Sequence, residues 1–212
     1  MSIPDAPAAD RANWLNGGNL TLLHVGSLSH LPTYRSIEFL MNGVLPSLRP
    51  EILEKISIRI AGHIHPSNPR CERVLEMCSR FRQVRILGRV PDLKELYATS
   101  DLQLVASTEA TGLRTRIVES FAYGLPVLST SVAADGIAGL RDGENILLAD
   151  SPESFARKLE FILDNPGCLP ELARHARATY DTLHSPGVVA SSLGRFLAEY
   201  FNFPFAALPR QS

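Results

Sequence analysis

The sequence predicts an α/β fold: a doubly wound parallel sheet with helices on both faces, followed by an all-helical C-terminal segment. Three observations carry this reading. Short apolar runs recur along the chain, among them LTLLHV, ISIRIAG, LQLVAS and PVLST, and near-continuous apolarity is how a strand buried on both faces reads. Helical patterns separate these runs, the rhythm of βαβ units. After Asp150 the periodicity becomes wholly helical.

In chain order, residues 1–18 are rich in Ala, Pro, Asp and Gly around a lone Trp14 and read as a linker or arm. Residues 19–184 form the sheet domain. LTLLHV opens it and ends at Gly26-Ser27, and a helix follows from about Thr33. ISIRIAG is the next strand, with a helix from about Arg70 to Phe81. QVRILG is a short strand, and DLKELYATS a short helix behind Pro91. LQLVAS, a helix opening at Gly112, PVLST and NILLAD complete the parallel set. SPESFARKLEFILDN follows, with Ser151 and Pro152 suited to the N-cap and first helical position. Residues 185–212 are a last helix and an apolar tail carrying Phe201, Phe203 and Phe205, a cluster that invites a partner, either a further domain or a second copy.

Composition narrows the function. With 45% hydrophobic and 20% charged residues, the chain can bury a full core. A net charge of −1 argues against nucleic acid as the main partner. No apolar run approaches the ~20 residues of a membrane-spanning helix, and the first residues lack the regions of a secretory signal. Cys71, Cys78 and Cys168 form no Cys-x-x-Cys pair, so reduced thiols and a cytoplasmic location are the default. Cys71 and Cys78 read as core packing. His63 and His65 lack accompanying acids or thiols, which speaks against a metal site. His24, inside an apolar strand, reads as a satisfied core histidine. There is no Gly-x-Gly-x-x-Gly fingerprint, Walker-type loop or Gly-x-Ser-x-Gly elbow.

The stretch STEATGLRTRIVESFAYGLPVLST, from Ser107 to Thr130, holds the strongest candidates. A strand, a glycine-containing loop and a helix N-terminus make an anion site, because unpaired amides and the positive dipole end point the same way. Arg114 and Arg116 place cations where the dipole favours carboxylates, a mismatch that an anionic ligand removes. Glu119, among apolar neighbours, has two readings that do not exclude each other: an acceptor for sugar hydroxyls, or an ion pair with Arg116. Solvated arginines on a surface βαβ unit are the alternative for the whole stretch. In an open parallel sheet, ligands bind beyond the strand carboxyl ends near a topological switch point. Gly26-Ser27, Gly62-His63 and residues 107–112 meet that condition.

From Gly88 to Asp150 the chain resembles the nucleotide-sugar-binding half of the family 4 glycosyltransferases of GT-B fold. GRVPDLKELYATSDLQLVAS, TGLRTRIVESFAYGLPVLST and DGIAGLRDGENILLADSPESFARKLEFIL carry the likeness in order, and with LTLLHVGSL it covers roughly residues 20–182. The resemblance implies a Rossmann-like domain and metal-independent, retaining transfer of a hexosyl group from a UDP- or GDP-type sugar to an acceptor hydroxyl, with no cofactor. It matches Glu119 to the glutamate that binds ribose hydroxyls, and puts Arg116 where a lysine is common. Thr111, Gly112 and Leu113 match the segment whose amides reach donor phosphates or sugar, with Arg114 beside it. Gly26 and Ser27 match the loop below the diphosphate, and Val90 a position that contacts the base. Thr111 stands where many members carry a second, sugar-holding glutamate, and the common Lys-Gly is missing. The resemblance further implies an acceptor-binding domain preceding this one, without which the chain is inactive. Rival readings are a non-catalytic nucleotide- or protein-binding module of the same fold, and an epimerase of GT-B shape.

Overall fold

A computed structural model describes residues 13–109, 112 and 115–201. Its centre is a parallel sheet of β1 (Leu20–Val25), β2 (Ile56–Ala61), β3 (Val84–Gly88), β4 (Leu102–Val105), β5 (Val127–Ser129) and β6 (Leu147–Leu148). The strand order is β3-β2-β1-β4-β5-β6. Chain order runs outward from β1 to one edge, then returns to β4 and runs to the other, so the switch point lies between β1 and β4.

Helices cover both faces, as the apolar strands require. α1 (Leu31–Phe39) continues through a π-helical turn, Leu40–Val44, into α2 (Leu45–Ser47), and α3 (Pro50–Leu53) precedes β2. Leu22, Leu104, Ile37, Val74 and Phe155 belong to the main core cluster, which joins the sheet to α1, α4 (Pro69–Ser79) and α8 (Pro152–Asp164). On the other side, Leu23, Val25 and Ala61 pack with Tyr97 of α5 (Lys94–Thr99) and with Tyr123. Ile117 and Phe121 of α6 (Thr115–Ala122) cover Val105 and Val127 there. Cys71 and Cys78 are buried in the main cluster, and burial pushes the Cys78 thiol up to about 11, which fits packing rather than reactivity.

Local chemistry sets several boundaries. Ser151 and Ser154 exchange amide–hydroxyl bonds of 3.2 and 3.0 Å, a reciprocal cap with Pro152 in the first turn. Thr130 accepts from the Ala133 amide at 3.2 Å and begins α7 (Ser131–Ala134), a short helix the sequence reading did not anticipate. Asn145 accepts from the Arg141 amide and donates to the Gly139 carbonyl and the Thr179 hydroxyl, each at 2.8 Å. It thereby ties the turn before β6 to α9 (Cys168–Thr179). A π-helical turn, Tyr180–His184, leads into α10 (Pro186–Phe201). Val189, Leu193, Phe196 and Tyr200 of α10 are exposed; Phe203 and Phe205 lie outside the described residues. Part of the expected arm is packed on the body: Trp14 and Leu15 lie against the main cluster, and the Leu15 amide donates to Asp101.

Two glycines fix how the first two strands end. The Gly62 amide donates to the Gly88 carbonyl at 2.8 Å and the Gly26 amide to the Ala61 carbonyl at 3.0 Å. A Cβ on Gly62 would lie 1.7 Å from the Gly26 carbonyl oxygen, so only glycine lets these backbones meet. Gly62→Ala is therefore expected to lower the unfolding free energy by about 2 kcal/mol or more. Urea denaturation checks this, and an unchanged midpoint would contradict the packing described.

Candidate functional site

The pairing of β1 with β2 runs the whole strand, from Leu20↔Ile56 to Val25↔Ala61. With β4, β1 pairs only at Leu22↔Leu102 and Leu23↔Gln103. Beyond that point the Leu104 carbonyl accepts from two side chains, His24 Nδ1 at 3.1 Å and Gln103 Nε2 at 3.2 Å. A cavity of about 370 Å³ lies in the split. Its wall includes Gly26 and Ser27 after β1, His30, Thr33 and Ser36 at and within the start of α1, Ser107 after β4, and Thr115 and Arg116 of α6. It sits at the switch point, where a doubly wound sheet takes its ligand.

Each wall element has a local cause. Gly26 approaches α1 so closely that a Cβ would meet the Thr33 hydroxyl at 2.5 Å. Ser27 accepts the His30 amide on its carbonyl at 3.1 Å, and its hydroxyl bonds that of Ser29 at 3.0 Å. The loop after β4 is anchored by Thr130, whose hydroxyl donates to the Ser107 carbonyl, and by Ser129, which donates to the Val105 carbonyl at 3.1 Å. The amino ends of α1 and α6 thus both open on the cavity, and helix amino ends favour negative charge.

The structure brings Gly26, Ser27 and Arg116 together around this space. Glu119 lies one helical turn beyond Arg116 and pairs with it, so the ion-pair alternative is the one adopted. The Glu119 side chain is only 10% exposed and the Arg116 side chain 28%. Burial opposes the Arg116 charge, yet the Glu119 carboxylate and the Tyr97 hydroxyl hold its pKa above the ordinary arginine value. Tyr97 is stacked on Tyr123 with ring centroids 4.7 Å apart, and burial, then the Glu119 charge, raises its phenol pKa. Val90 is not on the cavity wall; it packs in the cluster of Tyr97 and Tyr123. Gly112 is in the left-handed region at φ +69° with open space around it. It precedes α6, which begins at Thr115 rather than at Gly112. Thr111, Leu113 and Arg114 lie outside the described residues.

His24 departs from the expectation of a satisfied core histidine. It is buried and on the cavity wall, but its Nε2 has no hydrogen-bond partner among the described residues. Gln103 and Ser36, which the sequence reading passed over, line the same cavity. Gln103 Oε1 and Ser36 Oγ also lack partners there. A polar residue inside an apolar strand, as in LHV and LQLV, is the sequence signal that could have marked two of the three. A larger hollow of about 680 Å³ is lined by Leu147, Phe161, Cys168 and Leu172, with Gly143 and Glu144. Those two glycine and glutamate positions precede β6, so the hollow is at the amino end of that strand, away from the carboxyl ends where chemistry is expected.

A parallel sheet with a polar crevice at its switch point defines a doubly wound α/β domain. The family model described as "Glycosyl transferases group 1" matches residues 19–165, and the chain belongs to that family. No curated protein matches it. Among solved structures it resembles HepE from Anabaena in complex with UDP and glucose, at 17% identity and a TM-score of 0.72 over 86% of this chain and 49% of that one. It also resembles sucrose-phosphate synthase from Thermosynechococcus elongatus, at 20% identity and 0.71 over 89% and 47%, and a glycosyltransferase from Rickettsia africae, at 18% and 0.70 over 85% and 48%. These likenesses establish the fold, a Rossmann-like half of GT-B architecture, and the chain spans about half the length of each.

Burial lowers the His24 pKa from 6.5 to about 4, the Leu104 carbonyl opposing and the Arg116 charge assisting. Between those values the unfolded chain binds the proton that the folded chain refuses. Stability is therefore full above pH 6.5 and falls as the pH drops toward 4, by up to about 3 kcal/mol. Urea titrations at a series of pH values should show this slope, and His24→Gln should flatten it; equal slopes would contradict a buried neutral imidazole.

Proposed function

We propose that this chain is the donor-binding half of a retaining hexosyltransferase that moves a sugar from a nucleotide diphosphate to an acceptor hydroxyl. The observation that carries the reading is the switch-point cavity, onto which two helix amino ends open and Arg116 projects. Amides and a cation around one space suit a diphosphate. HepE, of similar fold, has also been solved with UDP and with UDP-glucose, which favours a UDP-type donor here.

In this reading the diphosphate lies against the Gly26-Ser27 backbone and the amino end of α6, with Thr111, Gly112, Leu113 and Arg114 beside it. Arg116 faces the phosphates, Glu119 accepts the ribose hydroxyls, and the base lies toward Val90. The charge that grows on the leaving diphosphate is stabilised by fixed amides and arginine, so no metal is required. Arg116 holds Glu119 in the protein as described, and the ligand exchanges that contact: phosphate takes the guanidinium and the carboxylate turns to the ribose. Acceptor binding falls to a second domain preceding this one, located in the cytoplasm with it, and the chain alone does not turn over. A non-catalytic nucleotide- or protein-binding module is the second reading, favoured by Thr111, which stands where the family resemblance puts a second, sugar-holding glutamate.

Calorimetric titration tests the proposal. UDP should bind saturably, Glu119→Ala should weaken both UDP and uridine, and Arg116→Ala should weaken UDP about tenfold or more while sparing uridine. Absence of nucleotide binding, or an Arg116 effect equal for both ligands, would count against the assignment. Separately, the full chain incubated with UDP-glucose and sugar acceptors should give no transfer product, and robust transfer would refute the need for a second domain.

A further inference from the structure

The hollow beside β6 is built from two matching stripes. Ser154, Arg157, Lys158 and Phe161 of α8 line one side, and Cys168, Glu171, Leu172 and His175 of α9 the other. Both stripes follow the i, i+3, i+4, i+7 spacing of a single helix face. The two helices therefore turn these faces toward each other across an open space of about 680 Å³ instead of closing on it. That volume is in the range of small-molecule sites, ~300–1,000 Å³. Its apolar surface comes from Leu147, Leu172, Cys168 and Phe161, the last left 49% exposed.

The charges on this wall are matched, save one. Glu144 pairs with Arg141 at 3.1 Å, Glu171 with Arg174 at 2.6 Å and Lys158 with Asp142 at 3.4 Å. A guanidinium only donates, so His175 accepts from Arg174 on Nε2 at 2.9 Å. Its Nδ1 then donates to the Glu144 carbonyl at 3.1 Å, and the ring so used is neutral. Arg157 is exposed and has no ion pair among the described residues; Glu153, one turn earlier, acts on it only at longer range. A guanidinium without a counterion, one turn from a half-exposed phenyl ring, suits a ligand with one negative charge and an apolar body.

We propose that the hollow between α8 and α9 binds a free carboxylate-headed amphiphile, its carboxylate on Arg157 and its apolar chain along Phe161, Leu172 and Leu147. Guanidinium and carboxylate match in a bidentate pair. The stripe from Ser154 to Phe161 rises about 10 Å, which leaves room for a medium-length chain laid along the groove. The hollow is at the amino end of β6, whereas the switch-point cavity is at strand carboxyl ends, so this site stands independently of the donor-site reading.

Cys168 supplies the readout, because it lines the hollow and is partly exposed while Cys71 and Cys78 are buried. The full chain is labelled with a thiol reagent in the presence of decanoate or decanol, each kept below the concentration at which it aggregates. Labelling of a single thiol per chain shows that the fold is intact. Decanoate should slow the labelling of Cys168 saturably and at lower concentration than decanol. Arg157→Ala should raise the decanoate concentration required about tenfold and leave that of decanol unchanged, and Arg157→Lys should restore part of the difference. Phe161→Glu should weaken protection by both. Lack of saturable protection by decanoate in wild type would overturn the proposal, as would protection of Arg157→Ala equal to that of wild type.

Discussion

Everything at the ligand-binding end of this molecule depends on β1 and β4 parting early. Two residue pairs hold them together, and then side chains, not strand amides, answer the Leu104 carbonyl. Had the ladder continued to Val25, as it does toward β2, backbone would close the crevice between the strands. The parting is sustained on one side by the Gly26–Gly62 approach, which commits β1 to β2. On the other, Thr130 and Ser129 draw the end of β4 and its loop toward β5. Each half of the sheet holds its own strand ends, and the space between them is what remains for a ligand.

Arg116 and Glu119 illustrate how burial makes a local pair consequential. On an exposed helix such a pair is worth a few tenths of a kcal/mol. Here both groups are largely removed from water beside Tyr97, itself fixed by its stack on Tyr123. A ligand must offer each of them a replacement partner at once, because stranding either charge in this setting is costly. A molecule with phosphates at one end and vicinal hydroxyls at the other does so in full; a nucleoside offers the hydroxyls alone and is expected to bind more weakly. That constraint, more than affinity for either group, is what would make the site selective.

Much of this was legible in the sequence because it is written in short-range patterns. Continuous apolar runs located the strands, and Ser151-Pro152 located a helix start that the reciprocal cap confirms. The order of motifs from Gly88 to Asp150 pointed to the family that the chain belongs to. What escaped depends on contacts distant in sequence. Helix α6 begins at Thr115, after a left-handed Gly112 that the glycine alone did not place. The π-helical turns at Leu40–Val44 and Tyr180–His184 leave no mark in apolar spacing. His24 and Gln103 are 79 residues apart in sequence and acquire their shared carbonyl only when β4 docks on β1, so strand composition suggested ordinary core for the first and nothing for the second.

The central claim is that the β1–β4 split is where a nucleotide sits. The most direct measurement is a map of backbone amide chemical-shift changes as UDP is added to the full chain. Changes should concentrate at Gly26, Ser27, Ser107, Thr115, Arg116 and Glu119. Changes clustered instead at Glu144, Phe161 and Leu172, or none at all, would contradict it.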